Sequence, residues 1–205
     1  MAEKESTSCC ILNAATKLFS RKGMGGTTTR EIAGLAGVNI AALHYHWGGK
    51  EDLLKAVYQK VIEEVGLLAA QLFYPSETGL RETFKNYFGR LHDFFLANPE
   101  YPRVLLYGDL EDPSFLEELR QQYVIPLIRQ VSENLKRLMR EQKIRKIDPE
   151  ATLITLYGAL LHPFVNGSTQ EAMMGHPMTD KKVAKRFKEQ FIDTVLVVFG
   201  LQSEK

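Results

Sequence analysis

The chain has 205 residues, of which 44% are hydrophobic and 25% are charged, and its formal net charge is +1. This length supports one large domain or two smaller ones around a substantial core, and the composition is ordinary for a globular protein. The charge balance excludes a wholly basic protein that coats nucleic acid, and without a signal peptide or an apolar run of membrane length we expect a cytoplasmic protein that makes no membrane contact.

The first predicted helix runs from about Ser8 to Lys22 and ends at Gly23, a residue suited to the left-handed conformation of a helix end. Its apolar face is formed by Ile11, Ala15, Leu18 and Phe19. Cys9 and Cys10, the only cysteines, lie at its start. Because adjacent cysteines rarely form a structural disulfide, we interpret them as small helix-start residues and leave a redox role open.

Residues 28–47 predict a helix-turn-helix motif with its capping residues in place. Thr28 and Glu31 have the spacing of a capping box, Gly37 suits the end of the first helix, and Asn39 can cap the second. Two short capped helices with almost no linker cross steeply, which is the geometry that places the second helix in the major groove of DNA. The sequence therefore predicts a DNA-binding protein.

The second helix of this motif would read the bases. Leu43 and Trp47 are expected to turn inward, so that the exposed face is formed by Asn39, Ile40, Ala41, His44 and Tyr45. Apolar side chains there can contact a thymine methyl group, and polar ones can bond base edges. The alternative for each position is a solvated side chain without a base contact. The complete set of candidate DNA-contacting residues is Thr28, Thr29, Asn39, Ile40, Ala41, His44, Tyr45, His46 and Lys50.

Residues 11–61 resemble the N-terminal domain of TetR-type (TetR/AcrR) transcriptional regulators. The resemblance rests on Ala-Ala-x-x-Leu-Phe in the first helix, Gly23, Thr28-x-x-x-Ile-Ala, Gly37-Val38, and an aromatic run that closes on Lys50-Glu51-x-Leu-Leu. It implies a ligand-responsive repressor that binds a palindromic operator as a homodimer and is released by a small-molecule effector. The alternatives are an effector-independent or activating regulator, or a helical ligand-binding protein that no longer reads DNA.

The resemblance also implies phosphate contacts. Lys50 is expected to reach a DNA phosphate from a helix start, where the helix dipole already favours an anion. Tyr45 and His46 are expected to contact phosphates as well, and Thr28 can offer its backbone and hydroxyl donors to another. The sequence departs from the family pattern at Gly48-Gly49, which replaces the usual small hydroxyl cap.

The remainder of the chain predicts an all-α protein of about nine helices. A helix of roughly 20 residues, about 30 Å, begins near Lys50 and continues towards Phe73, and a loop follows over residues 75–79. Further helices are expected near Leu80–Ala97, Tyr101–Glu111, Ser114–Gln142, Pro149–Asn166 and Asp180–Gly200. Pro126 should kink its helix near Gln122, and residues 167–179 are expected to form a loop. We assign residues 1–52 to a DNA-binding domain and residues 53–205 to an effector-binding and dimerisation domain.

Two apolar stripes near the C-terminus resemble the pair of helices with which this family builds a four-helix dimer interface. The predicted interface residues are Leu153, Leu156, Leu160, Phe164, Phe187, Phe191, Val195 and Val198. The alternative is that both stripes face the core of the monomer. For the final helix we favour dimerisation, because so apolar a terminal helix is otherwise hard to cover.

The resemblance implies an effector pocket in the larger domain. Candidate lining residues are the aromatic and amphipathic positions Tyr87, Phe88, Phe95, Tyr107, Tyr123, Tyr157 and His162. Residue by residue, most of these fit a core position equally well. Few charges interrupt the apolar faces of the middle helices, which favours a largely apolar, unidentified effector.

No catalytic signature is found in the sequence, so we expect a protein that is not an enzyme and needs no cofactor. His44 and His46 invite a metal hypothesis, but residues two apart on a helix point to different faces. The sequence therefore predicts no metal site.

Overall fold

The computed structural model describes residues 6–70, 79–111, 114 and 116–202. Over these ranges the chain is helical and contains no strand, which confirms the all-α prediction. The helices are α1 (Thr7–Lys22), α2 (Thr29–Ala36), α3 (Ile40–Trp47), α4 (Lys50–Ala70), α5 (Leu80–Ala97), α6 (Tyr101–Glu111), α7 (Glu117–Leu119), α8 (Ile125–Arg140), α9 (Pro149–Val165), α10 (Gly167–Met174) and α11 (Lys181–Phe199). None of them is long and apolar enough to cross a membrane.

Two segments differ from the prediction. Helix α10 lies in the stretch expected to be a loop, where it ends at Gly175 with a φ of 83° and places Gln170 in a buried position. The helix expected over residues 114–142 is interrupted by a π-helical stretch, Arg120–Val124, directly before α8. Pro126 lacks the N–H that would continue the α-helical ladder, so the interruption falls where the kink was predicted. The predicted loop at residues 75–78 and the extension to Phe73 lie outside the described residues.

The chain divides into two compact units, Met1–Ile62 with Pro99–Gln121, and Glu63–Asn98 with Gln122–Lys205. The first unit thus combines α6 with the N-terminal helices, whereas the functional division at residue 52 stays a prediction. Helix α1 is central to the first unit, since it packs against α2, α3 and α6. Its buried face carries Ile11, Ala15 and Phe19. The indole Nε1 of Trp47 donates to the carbonyl oxygen of Ser8 at 3.1 Å, which attaches the end of α3 to the start of α1.

The second unit contains an aromatic core between α5 and α11. Phe84 and Phe88 of α5 both pack against Phe199, with ring centroids 4.6 Å and 6.4 Å apart. Phe191 contacts Phe88 at 5.9 Å. Buried aromatic pairs contribute a favourable interaction in addition to the burial of their apolar surface, so these contacts stabilise the unit.

Candidate nucleic-acid interface

The start of α2 is fixed by the predicted capping box. The Thr28 Oγ1 atom accepts from the Glu31 N–H at 3.2 Å and donates to Glu31 Oε2 at 2.8 Å, while the Thr28 N–H donates to the same oxygen at 2.9 Å. Lys22 lies 2.6 Å from the other carboxylate oxygen, and its hydrogen bond is the main reason that the pKa of Glu31 is lowered to about 2. Thr28 therefore gives both of its donors to Glu31 and has none left for the phosphate contact expected from the sequence.

The turn between α2 and α3 also follows the prediction. Gly37 adopts the left-handed conformation, with φ of 68° and ψ of 30°. Asn39 caps α3, since its side-chain oxygen accepts from the Ala42 N–H at 2.7 Å. The left-handed glycine and the side-chain cap are both local features. The residues of the motif therefore determine the helix-turn-helix geometry themselves.

Helix α3 presents the expected face, apart from one residue. Leu43 is fully buried and Trp47 is half-buried, while the outward positions Asn39, Ala41, His44, Tyr45 and His46 are exposed. Ile40, predicted to be exposed, is half-buried. Tyr45 is the most open of the large side chains here, with 86% of its surface exposed. The Nδ1 atom of His44 is hydrogen-bonded to the carbonyl oxygen of Gly48.

Lys50 begins α4, as expected, and its phosphate contact stays a prediction. Its side chain is half-buried, and Nζ donates to the carbonyl oxygens of Met24 at 3.1 Å and Thr27 at 3.3 Å. Sequence reasoning did not find Glu111, whose carboxylate accepts from the backbone N–H groups of Met24 at 2.9 Å and Gly25 at 3.0 Å. The one signal in the sequence was an acid at the end of a helix, where the dipole disfavours negative charge.

Six of the eight residues predicted for the dimer interface are buried within the single chain, and the interface itself stays a prediction. Side chains that are almost fully buried within the single chain have no surface to offer a partner. This applies to Leu153, Leu156, Leu160, Phe164, Phe191 and Val195, whereas Phe187 and Val198 are half-buried. Apolar side chains that do remain exposed on the same helices are Ile154 at 75% and Val197 at 52%.

The candidate effector-binding residues are only partly brought together. Tyr87 and Tyr157 share a hydroxyl–hydroxyl hydrogen bond, and burial raises the pKa of both. Phe88 and Phe95 are buried, Tyr107 and Tyr123 are half-buried, and His162 is exposed. Tyr107 belongs to the first unit and the others to the second. One shallow cavity of the second unit, between α9 and α11, is lined by Ala151, Thr152, Thr155, Leu156 and Val198 rather than by any of these residues.

Within the described ranges no group of three His, Cys, Asp or Glu side chains is arranged to hold a metal ion. Neither Cys9 nor Cys10 forms a disulfide, and both side chains are half-buried. The first unit presents a capped helix with small and polar outward side chains, next to backbone amides at the start of α2.

Comparison with known proteins agrees with this geometry. Residues 11–57 match the family model described as bacterial regulatory proteins, tetR family, and residues 81–195 match the tetracyclin repressor-like C-terminal domain. The chain is 46% identical over 56 residues to the HTH-type transcriptional dual regulator CecR of Shigella flexneri, and 30% identical over 98 residues to the HTH-type transcriptional repressor NicS of Pseudomonas putida. These alignments cover 27% and 46% of this chain, but only 25% and 44% of the two relatives.

The fold of the whole chain is also known from solved structures. A candidate fatty acid metabolism regulator of Clostridium perfringens is similar with a TM-score of 0.73 and 20% sequence identity, over 96% of this chain and 100% of that one. At this identity the likeness establishes the arrangement of helices alone.

Proposed function

This chain belongs to the tetR family of bacterial regulatory proteins, and we propose that it represses transcription by binding a two-fold-symmetric operator as a homodimer until a small-molecule effector releases it. It is a DNA-binding transcriptional regulator by family. The observation that carries the proposal is the outward face of α3. The position of this helix is determined by the side-chain caps at the starts of α2 and α3 and by the left-handed glycine between them. The names of its relatives include both a repressor and a dual regulator, so they do not decide between repression and activation. We propose repression because blocking a promoter is the simplest way in which a bound protein regulates transcription.

Base reading is proposed for the start and middle of α3. Ala41 is exposed and carries only a methyl group, which lets the helix backbone approach the groove floor. The side-chain oxygen of Asn39 is used in the cap, so the NH₂ group remains to donate to a base acceptor. His44 completes the polar part of this face. Tyr45 and His46, both exposed, are proposed to reach phosphates on either side of the groove.

Phosphate binding at the start of α2 is proposed for Thr29 and its backbone amide. Thr28 is occupied by Glu31, whereas the first-turn amides of a helix have no intrahelical acceptor and suit an anion. Arg30 adds positive charge beside this helix start, whereas the charge of Lys22 is balanced by Glu31. The contact would orient the unit on DNA without reading sequence.

Dimerisation is proposed through the outer faces of α9 and α11. Ile154 and Val197 are large apolar side chains that the chain itself leaves exposed, and a Cβ atom built at Gly158 would meet open space. A second copy would cover this surface and place two reading helices about 34 Å apart, one turn of DNA. The effector is proposed to be largely apolar and to bind in the second unit, near the paired hydroxyl groups of Tyr87 and Tyr157.

The test is selection of bound duplexes from a random library with the purified protein at fixed moderate salt. We expect a two-fold-symmetric motif, and no enrichment over bulk DNA would contradict sequence-specific reading. Ala41→Glu is the matched control, since the residue is exposed and a carboxylate there would face the bases without disturbing the core. A reporter gene behind the selected motif, with and without the protein, then measures the sign of regulation.

A further inference from the structure

We propose that Lys50 and Glu111 hold the turn between α1 and α2 from two sides and are positioning residues for DNA reading. The turn consists of residues 23–27 and is called the α1–α2 turn below. Both contacts lie within the first unit. The proposal rests on the DNA-binding function of that unit, and it gives Lys50 a role other than the phosphate contact implied by the resemblance.

Lys50 contacts the carbonyl side of the turn. An ammonium group has three N–H donors, and two of those of Lys50 point at the carbonyl oxygens of Met24 and Thr27, at 3.1 Å and 3.3 Å. Hydrogen bonds from a charged donor are roughly twice as strong as neutral ones. The half-buried side chain is therefore committed to the turn before any DNA arrives.

Glu111 contacts the amide side of the same turn. As the last residue of α6, its Oε2 atom accepts from the N–H groups of both Met24 and Gly25. Negative charge at a helix C-terminus is unfavourable, so the carboxylate is not stabilised by its own helix. The two amide N–H groups of the turn stabilise it instead. Gly23 makes room for it, because a Cβ atom at that position would collide with the carboxylate, and its φ of 72° also favours glycine.

The α1–α2 turn is coupled to the reading helices by short connections. Within the turn, Thr27 Oγ1 donates to the Gly23 carbonyl oxygen at 2.7 Å, and the Thr27 N–H donates to Met24 O at 3.1 Å. Thr28 follows at once and caps α2. A displacement of the turn therefore shifts the start of α2, and α3 with it, relative to the operator.

The experiment measures affinity for the selected operator and for a random duplex over a range of salt concentrations. The variants are Lys50→Met, Glu111→Gln and Glu111→Ala, and the charge-matched controls are Lys60→Met and Glu118→Gln, both exposed positions of the same unit. Thermal unfolding of each variant confirms that it is folded before binding is compared.

For Lys50→Met we expect operator affinity to fall about tenfold, as for a lost charged hydrogen bond, with little change on random duplex and an unchanged salt slope. A phosphate contact would instead weaken both duplexes equally and reduce the slope by about 0.9. That result would overturn the positioning role of Lys50.

Glu111 provides a sharper test, because charge repulsion and positioning predict opposite changes in DNA affinity when its carboxylate is removed. If the carboxylate acted only by repelling DNA, its removal would strengthen binding to both duplexes. The positioning role predicts weaker operator binding, with Glu111→Ala more affected than Glu111→Gln, which keeps an acceptor oxygen. Stronger binding by both variants would overturn the proposal.

A readout without DNA separates failure of this proposal from failure of the proposed function. Amide hydrogen exchange should show Met24 and Gly25 protected in the wild-type protein and faster by about tenfold in Glu111→Ala. Wild-type protein that selects no operator would refute the DNA-reading function, while unchanged exchange in Glu111→Ala would refute the contact itself.

Discussion

The imidazole ring of His44 is hydrogen-bonded through Nδ1 to the carbonyl oxygen of Gly48, four residues further along the chain. A carbonyl oxygen can only accept, so Nδ1 must carry the hydrogen atom. In the neutral imidazole, Nε2 is then the acceptor. The carbonyl group of Gly48, at the C-terminal cap of α3, thus determines which tautomer the exposed ring presents to solvent.

His44 should therefore select a base that offers an amine in the major groove. Adenine N6 and cytosine N4 are the donors there, whereas guanine and thymine present acceptors at the corresponding place. In the selected operator we expect adenine or cytosine on the strand that His44 contacts. His44→Ala should relax this preference at one or two positions, each by about 1–3 kcal/mol.

The control for this prediction is His46→Ala, which should lower affinity without changing the selected motif, because a phosphate contact carries no sequence information. A preference for guanine at the position relaxed by His44→Ala would contradict the tautomer assignment. A motif that His44→Ala leaves unchanged would remove this residue from the base-reading set.

The sequence was sufficient for the helix-turn-helix because its contacts are local. Thr28 with Glu31, and Asn39 with Ala42, are three residues apart, and such pairs are recognised by spacing alone. Glu111, in contrast, bonds an amide 86 residues away, and no local pattern indicates that contact. Lys50 was placed correctly at its helix start, but its partners also come from a distant turn.

Periodicity determined which face of a C-terminal helix is apolar, but not what covers that face. The period of the stripe from Leu153 to Phe164 is equally compatible with a dimer interface and with the core, and the structure buries its apolar residues within the single chain. Helix α10 was missed for a related reason. It is short, has a weak apolar pattern and lacks a side-chain cap at Asn166, so only its packing reveals it.

Thr28→Ala should destabilise the first unit rather than remove a DNA contact. Loss of the hydroxyl leaves the Glu31 N–H without its cap, which costs about 1 kcal/mol in the free energy of unfolding. Thr28→Ser keeps the hydroxyl and should restore stability. Urea denaturation of the three proteins measures the difference, and equal midpoints would show that the capping box does not contribute.

Ile154→Glu should convert a dimer into a monomer. The side chain is exposed in the single chain, so a carboxylate there is tolerated by the fold but would be buried unpaired against a partner copy. Met173→Glu, at an equally open position of α10, is the control and should stay dimeric. Sedimentation velocity distinguishes the two masses. A dimer that survives Ile154→Glu would place the interface elsewhere.

His92 should make stability depend on pH below neutrality. Its ring is buried between Phe187 and Phe164, and Nε2 is buried without a hydrogen-bond partner in the described part of the chain. Burial lowers the pKa of His92 below its ordinary 6.5, and nearby Lys188 acts in the same direction, while Asp93, 3.3 Å from Nδ1, opposes the shift.

Because the folded-state pKa is depressed, the unfolded chain binds this proton first as pH falls. The free energy of unfolding should therefore be unaffected above about pH 7 and should decrease as pH falls below about 6.5, by at most about 1.4 kcal/mol per pH unit.

His92→Phe removes the titrating group and keeps an aromatic ring between its neighbours. Urea denaturation at pH 7.5, 6.5 and 5.5 gives the difference curve for the two proteins, in which the other histidines are shared. A wild-type curve that declines while His92→Phe stays flatter is the expected result, since only the buried ring differs. Parallel curves would show that protonation of His92 does not lower the free energy of unfolding. The protonated Nε2 would then have to donate to a hydrogen-bond acceptor in the folded protein.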